Sequence, residues 1–197
     1  NSGGIIKEAN NSLSVKIRES MDIAVLQPQI SFMNFARTFY LDLGYAYSEY
    51  SSDWFYDIDA QQLTPTIGFG WNEAYDWLQL RGYFIQLEQQ VQVLDKDDFA
   101  SAELAYIHWF AKKPAPFFDN FRLVVLAGER VLAVDPYAKT VYSLAEKQTG
   151  AVSMAGQWTL SQSLKLTLLV SYDQYENEAL TDEYRSLLAY GNLISQW

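Results

Sequence analysis

His108 is the single histidine of a chain that has no cysteine. Acid–base or nucleophilic chemistry near neutral pH would have to centre on it. Such chemistry needs an acidic partner and a nucleophile close in space. The neighbours of His108 in the chain, Tyr106, Ile107 and Trp109, read as residues of an interface, so a structural histidine is expected. The sequence contains no Gly-x-Ser-x-Gly elbow, His-Glu-x-x-His pair or phosphate-binding loop. We therefore expect no catalytic residue and no enzyme activity.

A second set of polar residues recurs opposite apolar ones: Asp42, Arg81, Glu103, Lys165 and Asp173, with Glu129 as a further candidate. One reading is a charge network that fills a narrow interior. The other is a polar passage that selects small solutes. Tyr40, Tyr83, Leu188 and Tyr190 share that face and favour a filled interior. Asp95, Lys96, Asp97 and Asp98 lack the glycine and distal glutamate of a calcium loop and read as a solvated turn. No metal and no cofactor is expected. The net charge of −10 excludes nucleic acid as a partner, because nothing would neutralise phosphates.

Alternation dominates the elements that must position these residues. Met33, Phe35, Phe39, Leu41, Leu43, Tyr45 and Tyr47 hold the odd positions of one continuous run. That run is longer than the roughly 5–6 residues of an ordinary strand. Leu63 to Trp71, Leu78 to Phe84, Ala102 to Phe110, Val152 to Leu160, Leu164 to Tyr172 and Glu183 to Trp197 repeat the period of two. A 3.6-residue period would scatter the same side chains around a cylinder. Arg37 interrupts the first apolar face and is expected at its rim. Breaks are expected at Ser51 to Asp53, Asn72-Glu73, Asp95 to Asp98, Lys112 to Pro116, Asp135-Pro136, Lys147 to Gly150, Ser161 to Ser163 and Glu176 to Asp182. The Arg122 to Leu132 stretch is apolar on both faces, and periodicity does not orient it.

No apolar run approaches the ~18 residues of a membrane helix. A membrane crossing would therefore be made by a closed barrel, since lipid leaves no partner for unpaired backbone groups. Aromatic residues make up 16% of the chain, enough for the two interfacial girdles of such a barrel. If the N-terminal strand runs outward and each turn reverses the chain, Tyr45, Tyr47, Trp54 and Trp158 fall toward the periplasmic end, with Trp197. Trp71, Trp77, Trp109 and Tyr172 then fall toward the other.

The last alternating strand carries Leu187, Ala189, Gly191 and Leu193 on one face and ends on Trp197. In this it resembles the outer-membrane β-barrel proteins of Gram-negative bacteria as a class, although Ser195 departs from a fully apolar face. The resemblance implies an outer-membrane location, lipid and lipopolysaccharide as surroundings, and Trp197 as a signal for the barrel-assembly machinery. It also implies export, hence a leader removed ahead of Asn1. The acidic loop Glu176, Glu178, Asp182, Glu183 would bridge lipopolysaccharide through divalent ions.

The expected fold is an all-β antiparallel transmembrane barrel of about ten strands, or eight with longer hairpins, its lumen largely filled by side chains. Residues 31–197 form the barrel. Residues 1–30 form either a first strand, from the alternation of Leu13, Val15 and Ile17 and then Ile23 and Val25, or a helical plug. The expected function is a non-enzymatic anchor or subunit of an envelope complex with a protein partner. A narrow channel or carrier for small solutes is the alternative.

Overall fold

Twelve strands follow one another, with no helix among the described residues: β1 (Met21–Leu26), β2 (Gln29–Met33), β3 (Phe39–Ser52), β4 (Ile58–Trp71), β5 (Asp76–Leu87), β6 (Asp98–Trp109), β7 (Phe118–Arg130), β8 (Val134–Asp135), β9 (Thr140–Val141), β10 (Lys147–Ser161), β11 (Leu164–Asn177) and β12 (Asp182–Ser195). The computed structural model describes residues 21–52, 58–88, 94, 96–110, 118–135, 140–141, 146–161, 163–177 and 182–195. Ten strands make one antiparallel sheet in the order β1-β3-β4-β5-β6-β7-β10-β11-β12, with β2 also on β3. β8 and β9 pair separately.

β1 pairs with Tyr47 to Ser52 of β3, and β2 with Tyr40 to Gly44. The two are halves of one edge, parted at Gln27 and Pro28, whose carbonyl accepts from the Tyr45 amide at 3.0 Å. Proline has no N–H for a ladder, so an edge is where a strand tolerates it. An expected domain division between residues 30 and 31 falls inside β2.

The sheet presents two chemically opposite faces. Odd positions of β3 and even positions of β5 and β6 point outward and stay exposed: Leu41, Leu43, Leu80, Phe84 and Leu104 are examples. The alternate positions are buried, and many are polar, as with Asp42, Ser48, Gln62, Thr64, Thr66 and Arg81. A soluble sandwich has the reverse arrangement.

The structure corrects three expectations. The run from Met33 to Tyr47 is not one strand. Asn34 closes a hairpin there, its Oδ1 accepting from the Thr38 and Phe39 amides at 2.8 and 3.0 Å. Arg37 takes a left-handed φ of 56° in this turn, so it sits at the sheet's end and not along a strand face. No break occurs at Lys147 to Gly150, which opens β10. Above all, among the described residues the sheet does not close into a barrel: β12 and the β1–β2 edge make no pairing with each other. Alternation reports which face is apolar; it carries no information on whether the outermost strands meet.

Candidate functional site: the polar inner face

Register brings the expected charges together. Asp42 lies opposite Thr66, Thr66 opposite Arg81, and Arg81 opposite Glu103. The row continues through Leu126 and Ala151 to Asp173. Asp42, Arg81, Glu103 and Asp173 thus occupy one transverse belt, contributed by β3, β5, β6 and β11. Lys165 shares the inward parity of Asp173 but lies at the far end of β11, exposed, opposite Thr159.

Arg81 is the hub of the belt. Its Nη1 lies 3.6 Å from Glu103 Oε1 and 3.9 Å from Asp135 Oδ1, and it donates to the Tyr83 hydroxyl at 3.1 Å. The Tyr83 ring is fully buried and carries the Arg130 guanidinium 5.3 Å from its centroid. Arg130 donates to Gln148 at 2.6 Å, and Gln148 donates to Asp173 at 2.8 Å. Ser171 gives Asp173 a second bond of 2.9 Å. Lys147, beyond the belt, lies 3.1 Å from Glu176 and 3.7 Å from Glu129. Buried charges survive when paired and hydrogen-bonded in this way.

The segment after β7 completes the interior, and the alternation gave no sign of it. Two residues of β7, Gly128 and Glu129, face the single Thr149 of β10, a β-bulge. Gly128 has φ +99°, and a Cβ there would meet the Ala100 carbonyl oxygen at 2.6 Å. The chain then turns inward, and Val131, Leu132, Ala133 and Val134 are all buried. The Gln62 amide holds both backbone groups of Val134, accepting from its N–H at 2.9 Å and donating to its carbonyl at 2.7 Å. The Tyr50 hydroxyl donates to the Leu132 carbonyl at 3.1 Å. Ile85, Leu87 and Phe99 pack around the segment. The only sequence signal was the two-sided apolar stretch of residues 122–132, which periodicity could not orient.

The aromatic residues divide between the ends differently from the expectation. β2 passes to β3, β4 to β5 and β10 to β11 at one end, here the turn end; β3 passes to β4, β5 to β6 and β7 to β10 at the other, the loop end. Trp71 and Trp158 lie at the turn end, so Trp158 is not grouped with Tyr45 and Tyr47. Trp71 stacks on Tyr106 at 6.1 Å, and Trp158 meets Phe118 at 4.8 Å. Tyr45 and Tyr47 face outward from the middle of β3 and its loop-end half, and Tyr172 from the loop-end half of β11. Trp77 turns inward over Gly68, where a Cβ would meet its ring at 2.5 Å. Trp109 shares the inward parity of Glu103. Trp54 and Trp197 lie outside the described residues.

His108 has an acidic partner that sequence distance concealed. Asp76 faces it across β5 and β6, with Nδ1 2.6 Å from Oδ1. The same carboxylate accepts from Tyr106 at 2.6 Å and from Asn72 at 2.9 Å. The cluster ties the 72–75 turn to β6. Its donors all converge on Asp76, and among the described residues His108 hydrogen-bonds no hydroxyl that it could activate.

Neither a family model, nor a curated protein, nor a solved structure matches the chain. No helix among the described residues is long and apolar enough to cross a membrane, which says nothing of strands.

Proposed function

We propose that the chain is an integral β-barrel of a bacterial outer membrane, non-enzymatic, serving as an anchor or subunit of an envelope complex. One observation carries this reading: the outward face of the sheet exposes apolar side chains from strand to strand, while the inner face buries polar and charged residues such as Asp42, Gln62, Thr64, Thr66 and Arg81 beside apolar ones. In water that arrangement leaves a broad apolar surface uncovered. In a bilayer it puts hydrocarbon against lipid and satisfies the polar groups inside.

The reading requires closure. The β1–β2 edge and β12 run in the same direction, because an antiparallel step separates each neighbour in the sheet from the next. With β1 and β2 counted as one edge position the sheet has nine, and one further strand between that edge and β12 would restore the alternation and give the even count of bacterial barrels. Shorter connections face the periplasm in such barrels, which assigns the turn end to the periplasm. The Arg81 network and the inward 131–134 segment fill the interior and favour an anchor over an open pore. A narrow channel is the second reading, favoured by a cavity on the inner face of β6 to β11.

Refolding into phospholipid vesicles tests the location: protease-protected β structure is expected, and a monodisperse detergent-free protein in buffer would sink it. Planar-bilayer recordings test the role. No stable conductance is expected. A reproducible pore whose conductance changes with Arg81→Gln or Glu103→Gln would replace the anchor with the channel. Purification in mild detergent from native membranes is expected to retain a protein partner; a lone monomer would remove the complex-subunit role.

A further inference from the structure

The inner face is filled unevenly. Toward the loop end, the 131–134 segment and its apolar neighbours fill it over β3 to β6, and the buried Arg130, Lys147 and Gln148 fill it over β7 and β10. From the Arg81 belt toward the turn end, the small residues Ala151, Ser153, Ala155 and Ser171 leave a cavity of about 240 Å³ between β6, β7, β10 and β11, with Asp135 of the inward segment on its wall. That is smaller than the roughly 300–1,000 Å³ of drug-sized sites, so its occupant is a small molecule.

Both signs of charge line it: Glu103, Asp135 and Asp173 against Arg122 and Arg130. Most are already engaged. Arg81 serves Glu103 and Asp135, and Gln148 links Arg130 to Asp173. Arg122 differs: among the described residues its side chain has no ion-pair or hydrogen-bond partner, and it stands exposed on the turn-end half of β7. A guanidinium with its fork unfilled is a carboxylate receptor. A simple anion would also face three carboxylates, and a simple cation two guanidinium groups. A molecule carrying both charges matches the wall.

We infer that this cavity is a blind binding site for a small zwitterion of the α-amino-acid type, entered from the turn end. The carboxylate pairs with Arg122. The ammonium group lies toward Glu103 and Asp173, whose oxygens have lone pairs to spare. The inference deepens the membrane-barrel reading and rests on it for the side from which solute arrives.

Titration calorimetry of the full chain in detergent micelles tests it, with L-alanine as the probe and folding checked by far-UV circular dichroism. Saturable binding of L-alanine is expected, with acetate and methylammonium each weaker. Arg122→Gln is expected to weaken L-alanine about tenfold or more, and Ser153→Phe, which fills the cavity, to abolish binding. Because Ser153→Phe could disturb folding, the exposed Arg122 variant decides the matter. No saturable heat from the folded protein, an unchanged affinity in Arg122→Gln, or acetate binding as tightly as L-alanine would each overturn the site. Failure to insert into vesicles would instead overturn the barrel reading, and the two outcomes are read in separate experiments.

Discussion

Glu103 and Leu104 are neighbours in one strand and live in opposite surroundings. Leu104 is 44% exposed on the outward face, whereas the Glu103 side chain is 12% exposed and faces Arg81. The same contrast separates Leu80 from Arg81 and Leu41 from Asp42. The period of two thus sorts residues by polarity on β3, β5 and β6, with hydrocarbon outside. The two faces also differ in how they are held. The outer face is mostly a repetitive apolar surface, its polar contacts confined to clusters such as Asp76 with Tyr106 and His108 at the turn end. The inner face is a bonded network centred on Arg81, Tyr83, Arg130 and Gln148, plus an inserted segment. Errors on the two faces should therefore cost stability by different routes.

The largest effect is expected inside. Arg81→Leu leaves Glu103 and Asp135 without their shared cation, and losing one partner of a buried pair costs about 3–5 kcal/mol. Urea unfolding from vesicles should register it, and a loss under 1 kcal/mol would mean that water reaches the belt. Leu104→Arg tests the outer face: about 2–4 kcal/mol is expected at mid-bilayer, against a negligible change if that face meets water. Gly128→Ala forces a side chain into a left-handed backbone position against the Ala100 carbonyl. It should cost about 1–3 kcal/mol and raise hydrogen exchange at Val131 to Val134. Tyr50→Phe removes one hydrogen bond to Leu132 and should cost about 1 kcal/mol, read as a small drop in the unfolding midpoint. If it equals Gly128→Ala, the inward segment hangs on the hydroxyl and not on the bulge.

The belt was legible in part. Asp42, Arg81, Glu103 and Asp173 could be assigned to the inner face because parity alone sets the side of a strand. Lys165 obeyed the same parity and still falls outside the belt, since parity does not say how far along a strand a residue lies. The turn at Asn34–Thr38 escaped notice because it has neither glycine nor proline; it also reverses the parity, so that Met33 lies beside the inward Tyr40 while Phe32 lies beside the outward Leu41. Asp76 escaped as the partner of His108 because the two lie far apart in the chain and meet only through the β5–β6 register. The inward segment escaped because its bulge breaks the period of two at Gly128 and Glu129, just before the chain turns inward.

By itself the amino-acid sequence determined the all-β class, the antiparallel succession of strands and the polarity of each face. These follow from local alternation, which the pleat converts directly into sides of a sheet. Only the tertiary structure decided which charges share a level, where Gly128 sends the chain inward, and that the sheet's edges remain unjoined. Those depend on register and on contacts between residues distant in the chain, and a period of two is the same for every register that keeps its parity.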